Sequence, residues 1–108
     1  MDGPNKFRVV FTEQADLDRD RIIDELIKRN PESGLQWLDA YEFTESLFTS
    51  NPYLYQEHLL FVRRAHLRRF PYTIYYVVDE INTLVLIIAV LHQKQDPAII
   101  LERLNIEF

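Results

Sequence analysis

Six residues between positions 63 and 94 could carry chemistry in this chain. Arg63, Arg64, Arg68 and Arg69 fall within seven positions, and His92 and Lys94 follow an apolar run. Cleaving RNA through its own 2′-hydroxyl requires a base for that hydroxyl, an acid for the leaving oxygen, and cations against the charge of the transition state. An imidazole can both give and take a proton, so His92 could serve as acid or base. Arg68 or Arg69 could hold a phosphate in a guanidinium fork, and Lys94 could add a point charge. This is a minimum set, which His58 and His66 join only if folding brings them close.

The same residues also have structural uses. A histidine at a strand end is more often a surface group than a catalyst. Arginines can guard a strand edge against pairing with another chain, or pair with the acid-rich helices of this one. No acidic side chain lies between Glu57 and Asp79, so the cluster is a local positive field in a chain of net charge -5. An anionic partner must use that cluster and not the global field. Tyr72, Tyr75 and Tyr76 could stack on bases. On an alternating strand under helices they are expected instead as core residues or cross-strand pairs, and Trp37 as helix–sheet packing.

The elements that position these groups follow from periodicity. Phe70, Tyr72, Ile74, Tyr76 and Val78 alternate with Pro71, Thr73, Tyr75 and Val77, the pattern of a strand. Leu84 to Leu91 contains no polar residue and should be covered on both sides. About five residues between these runs predict an antiparallel hairpin. Upstream, Lys6 to Phe11 alternates as a half-buried strand, and Thr12 with Glu13 and Gln14 predicts a helix N-cap. The helix should bury Ala15, Ile22, Ile23, Leu26 and Ile27, with Asp16, Asp18, Asp20, Asp24 and Glu25 mostly on its other sides.

Asn30 and Pro31 stop that helix and start the next, which carries Trp37, Ala40, Tyr41, Thr44, Leu47 and Phe48 as an apolar stripe. So short a connection makes a helix hairpin. Asn51 and Pro52 close it, YLYQEHLL reads as a loop entering a strand near Leu60, and Asp96-Pro97 can open a short C-terminal helix. The expected fold is α+β, a helix hairpin packed on a small, mainly antiparallel sheet, in the order β-α-α-β-β-β before that last helix.

Composition narrows the function classes. At 108 residues, residues 1–108 are expected to form one domain, and 47% hydrophobic residues with two glycines predict an ordered globule. The absence of cysteine excludes disulfides and thiolate chemistry. No metal-ligand spacing or phosphate-binding glycine loop occurs, so neither metal nor cofactor is expected. The start MDGPNK lacks the features of a signal peptide, and the run at Leu84 is too short to cross a bilayer. The expected compartment is the cytoplasm.

An ordered set of motifs, Arg63-Arg64, Arg69-Phe70-Pro71-Tyr72, Tyr76 with Val78-Asp79-Glu80, and Val90-Leu91-His92 with Asp96-Pro97, resembles the RelE/ParE superfamily of type II toxins across Lys6 to Pro97. The resemblance implies a plasmid-stabilisation type of toxin, encoded beside an antitoxin that wraps a folding segment around it. It implies one of two targets. RelE-like members are ribosome-dependent endoribonucleases that cut mRNA, and ParE-like members inhibit DNA gyrase. RelE-like nucleases commonly have a basic residue where this chain has Thr73, and many relatives an arginine where it has Gln95. The ParE-like branch is therefore favoured, followed by a nuclease using His92 and Lys94, and then by a non-toxic binding module on the same fold. The expected antitoxin contact is an acidic amphipathic segment against Arg63, Arg64, Arg68 and Arg69 and the off-stripe Leu17, Leu35 and Phe43. A homodimer or a toxin–antitoxin hetero-oligomer is compatible with that surface.

Overall fold

One inner strand of the sheet is built on the run that has no polar residue. In the computed structural model, which describes residues 6–104, Leu84–His92 forms β5, buried along almost its whole length. It pairs antiparallel with β4 (Tyr72–Asp79) and parallel with β1 (Arg8–Phe11). Outside β4 lie β3 (Val62–His66) and the short β2 (Glu57–Leu59), giving one five-stranded sheet of order β1-β5-β4-β3-β2. The fold is the expected α+β arrangement, with two refinements. The stretch read as a loop contains β2, whose three residues are too few to show alternation. β4 begins at Tyr72 because Arg69, with a φ of 69°, turns the chain before it.

Helix α1 (Glu13–Arg29) starts where Thr12 Oγ1 accepts a hydrogen bond from the Ala15 amide at 3.1 Å. Asn30 then serves two helices. Its amide donates to Leu26 O at the end of α1, and its Oδ1 accepts from Glu32 N at the start of α2 (Pro31–Ser50). Pro31 fits the first helical turn because its missing donor would have no partner there. The helices approach closely at Gly34, where a methyl group would sit 2.4 Å from Ile27 Cγ1.

One face of the sheet receives this hairpin. Trp37, Tyr41 and Phe48 are essentially inaccessible and pack with Ile74, Tyr76, Val85, Ile87 and Val90. Trp37 stacks on Tyr41 at 5.3 Å, and Phe48 lies 4.2 Å from Tyr76 between ring centres. Tyr72, Tyr75 and Tyr76 are thus packing residues, half-buried or buried, as the alternation predicts. The opposite face carries a smaller cluster of Val62, Tyr75, Ile88, Ala89 and Leu91, covered by Ile100 of α3 (Ala98–Leu104).

A bulge in β5 explains how both faces are closed at one edge. Tyr75 pairs with Ala89 and Tyr76 with Ile87, so Ile88 is an extra residue. β1 reaches only to Ile87, whose carbonyl accepts from Thr12 N. Beyond it the open edge is finished by side chains: Asp18 Oδ2 of α1 accepts from Val90 N at 2.9 Å, and Arg103 Nη1 of α3 donates to Ile88 O at 3.0 Å. The two side chains also form a bidentate ion pair, with Arg103 Nη2 2.9 Å from Asp18 Oδ1. Asp18 is 2% exposed, which corrects the expectation that it lies off the apolar side of α1. Its spacing from Ala15 and Ile22, three and four residues, puts it on their face.

Candidate functional site

Alternation along β3 divides the arginine cluster. Arg63 shares its side of the strand with Ala65 and Leu67 of the hairpin-side core, whereas Arg64 shares the other side with Val62 and His66. Arg63 is engaged: Nη1 donates to Tyr55 O at 2.7 Å, Nη2 is 3.6 Å from Glu57, and the guanidinium lies 5.0 Å over the Tyr53 ring. It pins the chain between α2 and β2. Arg68 and Arg69 leave the strand and border a cleft against α2, with Asp39, Phe43 and Phe70 in its walls. The Arg68 guanidinium stands 5.3 Å over the Phe43 ring. Phe43 and Leu35, 49% and 64% exposed, extend this rim along α2 at a spacing of eight residues, with Asp39 midway.

His92 ends β5 opposite Tyr72, its ring edge-on to the tyrosine at 4.9 Å. Its Nδ1 accepts from the Lys94 amide at 3.0 Å, which places a proton of the neutral ring on Nε2. Gln95 has a local task. Its side chain accepts from His92 N at 2.9 Å, and its amide donates to His92 O. The groove around His92 and Lys94 is completed by Arg21, Glu25 and Arg29 of α1. The cations next to His92 therefore include Arg21 and Arg29, which the sequence reading did not single out. Their spacing with Glu25 on one helical stripe was the available signal. Burial, then Glu25, raises the Tyr72 pKa above the ordinary phenol value, with Arg29 opposing.

The remaining histidines occupy the other face. His66 Nδ1 is 2.7 Å from Thr73 Oγ1, and the His58 ring is 6.1 Å from the Tyr75 ring. The structure thus brings His92 together with Lys94, and Arg68 with Arg69, while Arg64 lies with His58 and His66. Among the described residues, no group of three or more His, Asp or Glu side chains is arranged to hold a metal ion. No described helix is long and apolar enough to cross a membrane.

Known proteins resolve the family. No curated protein matches. Among solved structures, the chain is similar to a chain of the chromosomal ParDE toxin–antitoxin system from P. aeruginosa, at 18% identity and a TM-score of 0.69, covering 82% of this chain and 97% of that one. It is also similar to a chain of the RelBE2 toxin–antitoxin complex from Mycobacterium tuberculosis, at 25% identity and a TM-score of 0.52, covering 81% and 98%. The family model for the ParE toxin of type II toxin–antitoxin systems matches residues 9–97, from β1 to the turn before α3, and the chain belongs to that family.

Proposed function

We propose that this chain is the toxin of a type II pair, kept inactive in the cytoplasm by a cognate antitoxin, and that its target is DNA gyrase and not mRNA. The match to the ParE model over residues 9–97 carries this reading. The surroundings of His92 support it. Its Nδ1 is taken by the Lys94 amide, Gln95 is taken by the strand end, and Arg63 is spent on Tyr55 and Glu57. His92 keeps its Nε2 edge open, but Gln95 and Arg63 are committed to the fold and cannot also meet a phosphate.

The antitoxin surface is the rim formed by Arg68, Arg69, Phe43 and Leu35. Exposed apolar side chains beside cations suit an acidic amphipathic segment that orders as it binds. Co-expression with the neighbouring reading frame should yield a complex whose capture weakens with salt. Phe43→Ala with Arg68→Ala should reduce capture at low salt without unfolding the chain.

Purified toxin, released from its antitoxin, should inhibit gyrase supercoiling and leave ribosome-bound mRNA uncut. Cleavage of mRNA with supercoiling unaffected would establish the RelE-like activity instead. Inhibition of neither would favour a binding module.

A further inference from the structure

Ile81, 95% exposed, stands in the turn between β4 and β5, at the end of the sheet away from His92. The turn that presents it is tied down. Asp79 Oδ1 accepts from Asn82 N at 3.1 Å, Asp79 Oδ2 from Asn82 Nδ2 at 2.8 Å, and Thr83 O from Arg8 N of β1 at 3.0 Å. Thr83 takes a φ of 55°, a left-handed conformation that a β-branched residue keeps only where its surroundings fix it. The result is an apolar knob held rigidly in water, whose backbone needs little further ordering to bind a partner. Leu84 beside it is half-buried, and Tyr53, edge-on to Phe7 at 6.3 Å, is 44% exposed at the same end.

Charges of opposite sign flank this knob. Leu84 pairs with Arg8 on one side and with Asp79 on the other, so the three form one row across the sheet. Arg8 and Asp79 therefore leave the same face on either side of β5, about 10 Å apart, and Glu80 follows Asp79 into the turn. Among the described residues, no carboxylate pairs with Arg8. The side-chain and backbone bonds from Asn82 hold the Asp79 pKa below the ordinary carboxylate value, so the turn keeps its negative charge.

A base on one side of an apolar knob and acids on the other are complementary to a second copy of the same surface. A two-fold axis normal to the sheet beside Ile81 sets that side chain against its symmetry mate. The same rotation turns Arg8 of each copy toward the Asp79-Glu80 turn of the other, so both contacts form together. Helix α3 does not stand in the way, because Ile100 and Arg103 dock at Ile88 and beyond, farther along β5. A purely acidic or purely basic partner would satisfy one flank and be repelled by the other.

The geometry points to a homodimer joined end to end at the β4–β5 turns, with Ile81 at the two-fold axis and Arg8 facing Asp79 and Glu80 of the second copy. Ile81, Leu84 and Tyr53 offer much less than the roughly 800 Å² per partner of a standard interface, so the dimer is a weak one. It uses the end of the molecule remote from His92 and from the Phe43 rim, and it does not depend on the target proposed above.

Sedimentation equilibrium of the whole chain tests it, over concentrations from about 10 μM to 1 mM, the range of small interfaces. A monomer–dimer equilibrium that weakens with salt is expected. Ile81→Ser should weaken association about tenfold or more. Arg8→Glu and Glu80→Arg should each weaken it by about the same factor, since each sets like charges face to face. An equal mixture of those two variants should associate again with nearly the parent affinity, because the acid introduced in one copy then meets the base introduced in the other. All three side chains are exposed, so thermal melts of the variants should match the parent. A monomer at every concentration, masses beyond the dimer, a dimer indifferent to Ile81→Ser, or a mixture no better than its components would overturn the proposal. So would protection of the β4–β5 turn from hydrogen exchange only in the antitoxin complex, which would give this surface to the antitoxin.

Discussion

The two faces of the sheet are closed by unequal means. Over one lie two long helices, with Trp37, Tyr41 and Phe48 driven into a continuous aromatic core. Over the other lies α3, seven residues long. A helix so short has no stability of its own in water. It is held by Ile100 in a small cluster and by Arg103 at the bulged edge of β5. The larger face supplies stability through area removed from water. The smaller face depends on a few directional contacts, and it leaves a polar corner uncovered. That division matches a domain whose fold must be secure while part of its surface stays free for partners.

The sharpest way to break the comparison is to remove a large side chain from the aromatic face. Trp37→Ala should cost about 3 to 5 kcal/mol and lower the denaturant midpoint of the entire domain. Trp37→Phe should cost less, because the indole Nε1 is buried without a hydrogen-bond partner and the residue contributes packing. If Trp37→Ala melts like the parent, the hairpin face is not the source of stability.

Asp18→Ala probes the other closure. It leaves the Val90 amide without its acceptor and Arg103 without its carboxylate, for a cost of about 3 kcal/mol. The distinguishing observation is local. Hydrogen exchange at Val90 and Ile100 should accelerate well before the amides of α1 and α2, because α3 can detach while the hairpin stays packed. Uniform acceleration across the chain would show that the two faces form one cooperative unit.

Much of this architecture was legible in the residues. The cap at Thr12, the double role of Asn30-Pro31, the β4–β5 hairpin and the helix opened at Asp96 are written in local patterns. The exposed Leu17, Leu35 and Phe43 were equally visible, as apolar residues left outside a 3.6-residue stripe. Asp18 was misplaced because an acid in an apolar arc reads as a boundary of that arc until its partner is known. The partner, Arg103, is 85 positions away, beyond the reach of any local pattern. The bulge at Ile88 left no trace in an unbroken apolar run, although it sets which residues face α3. The arginines were grouped by proximity in sequence, whereas strand alternation sends Arg63 and Arg64 to opposite faces.

Alkaline titration sharpens the comparison through tyrosine. Burial raises the Tyr76 pKa from 10 to about 12, and the phenol donates to Pro52 O at 2.7 Å. Tyr41, beside Trp37, is shifted upward further by burial and by Glu45. Because the folded state keeps these protons longer than the unfolded chain, their contribution is fully present below pH 10 and is lost as pH rises toward 12. Urea midpoints should therefore fall between pH 10 and 12, and Tyr76→Phe should flatten part of that fall. A midpoint independent of pH across this range would mean the phenols are solvated in the native state.

The smallest effects separate two neighbours. Arg63→Gln removes a charged donor from Tyr55 O, the approach to Glu57 and the stacking on Tyr53, and should cost about 1.5 to 3 kcal/mol. Arg64→Gln removes an exposed guanidinium that no described carboxylate meets, and should change stability by about 0.5 kcal/mol or less. Both lose one positive charge from the same strand, so general electrostatics would affect them alike. Only the alternation of β3 makes one a fastener of the folded chain and the other a free donor. Equal melting curves for the two variants would show that Arg63 is as dispensable as Arg64. A large loss in Arg64→Gln would mean that the uncovered corner of the sheet is held together by that guanidinium.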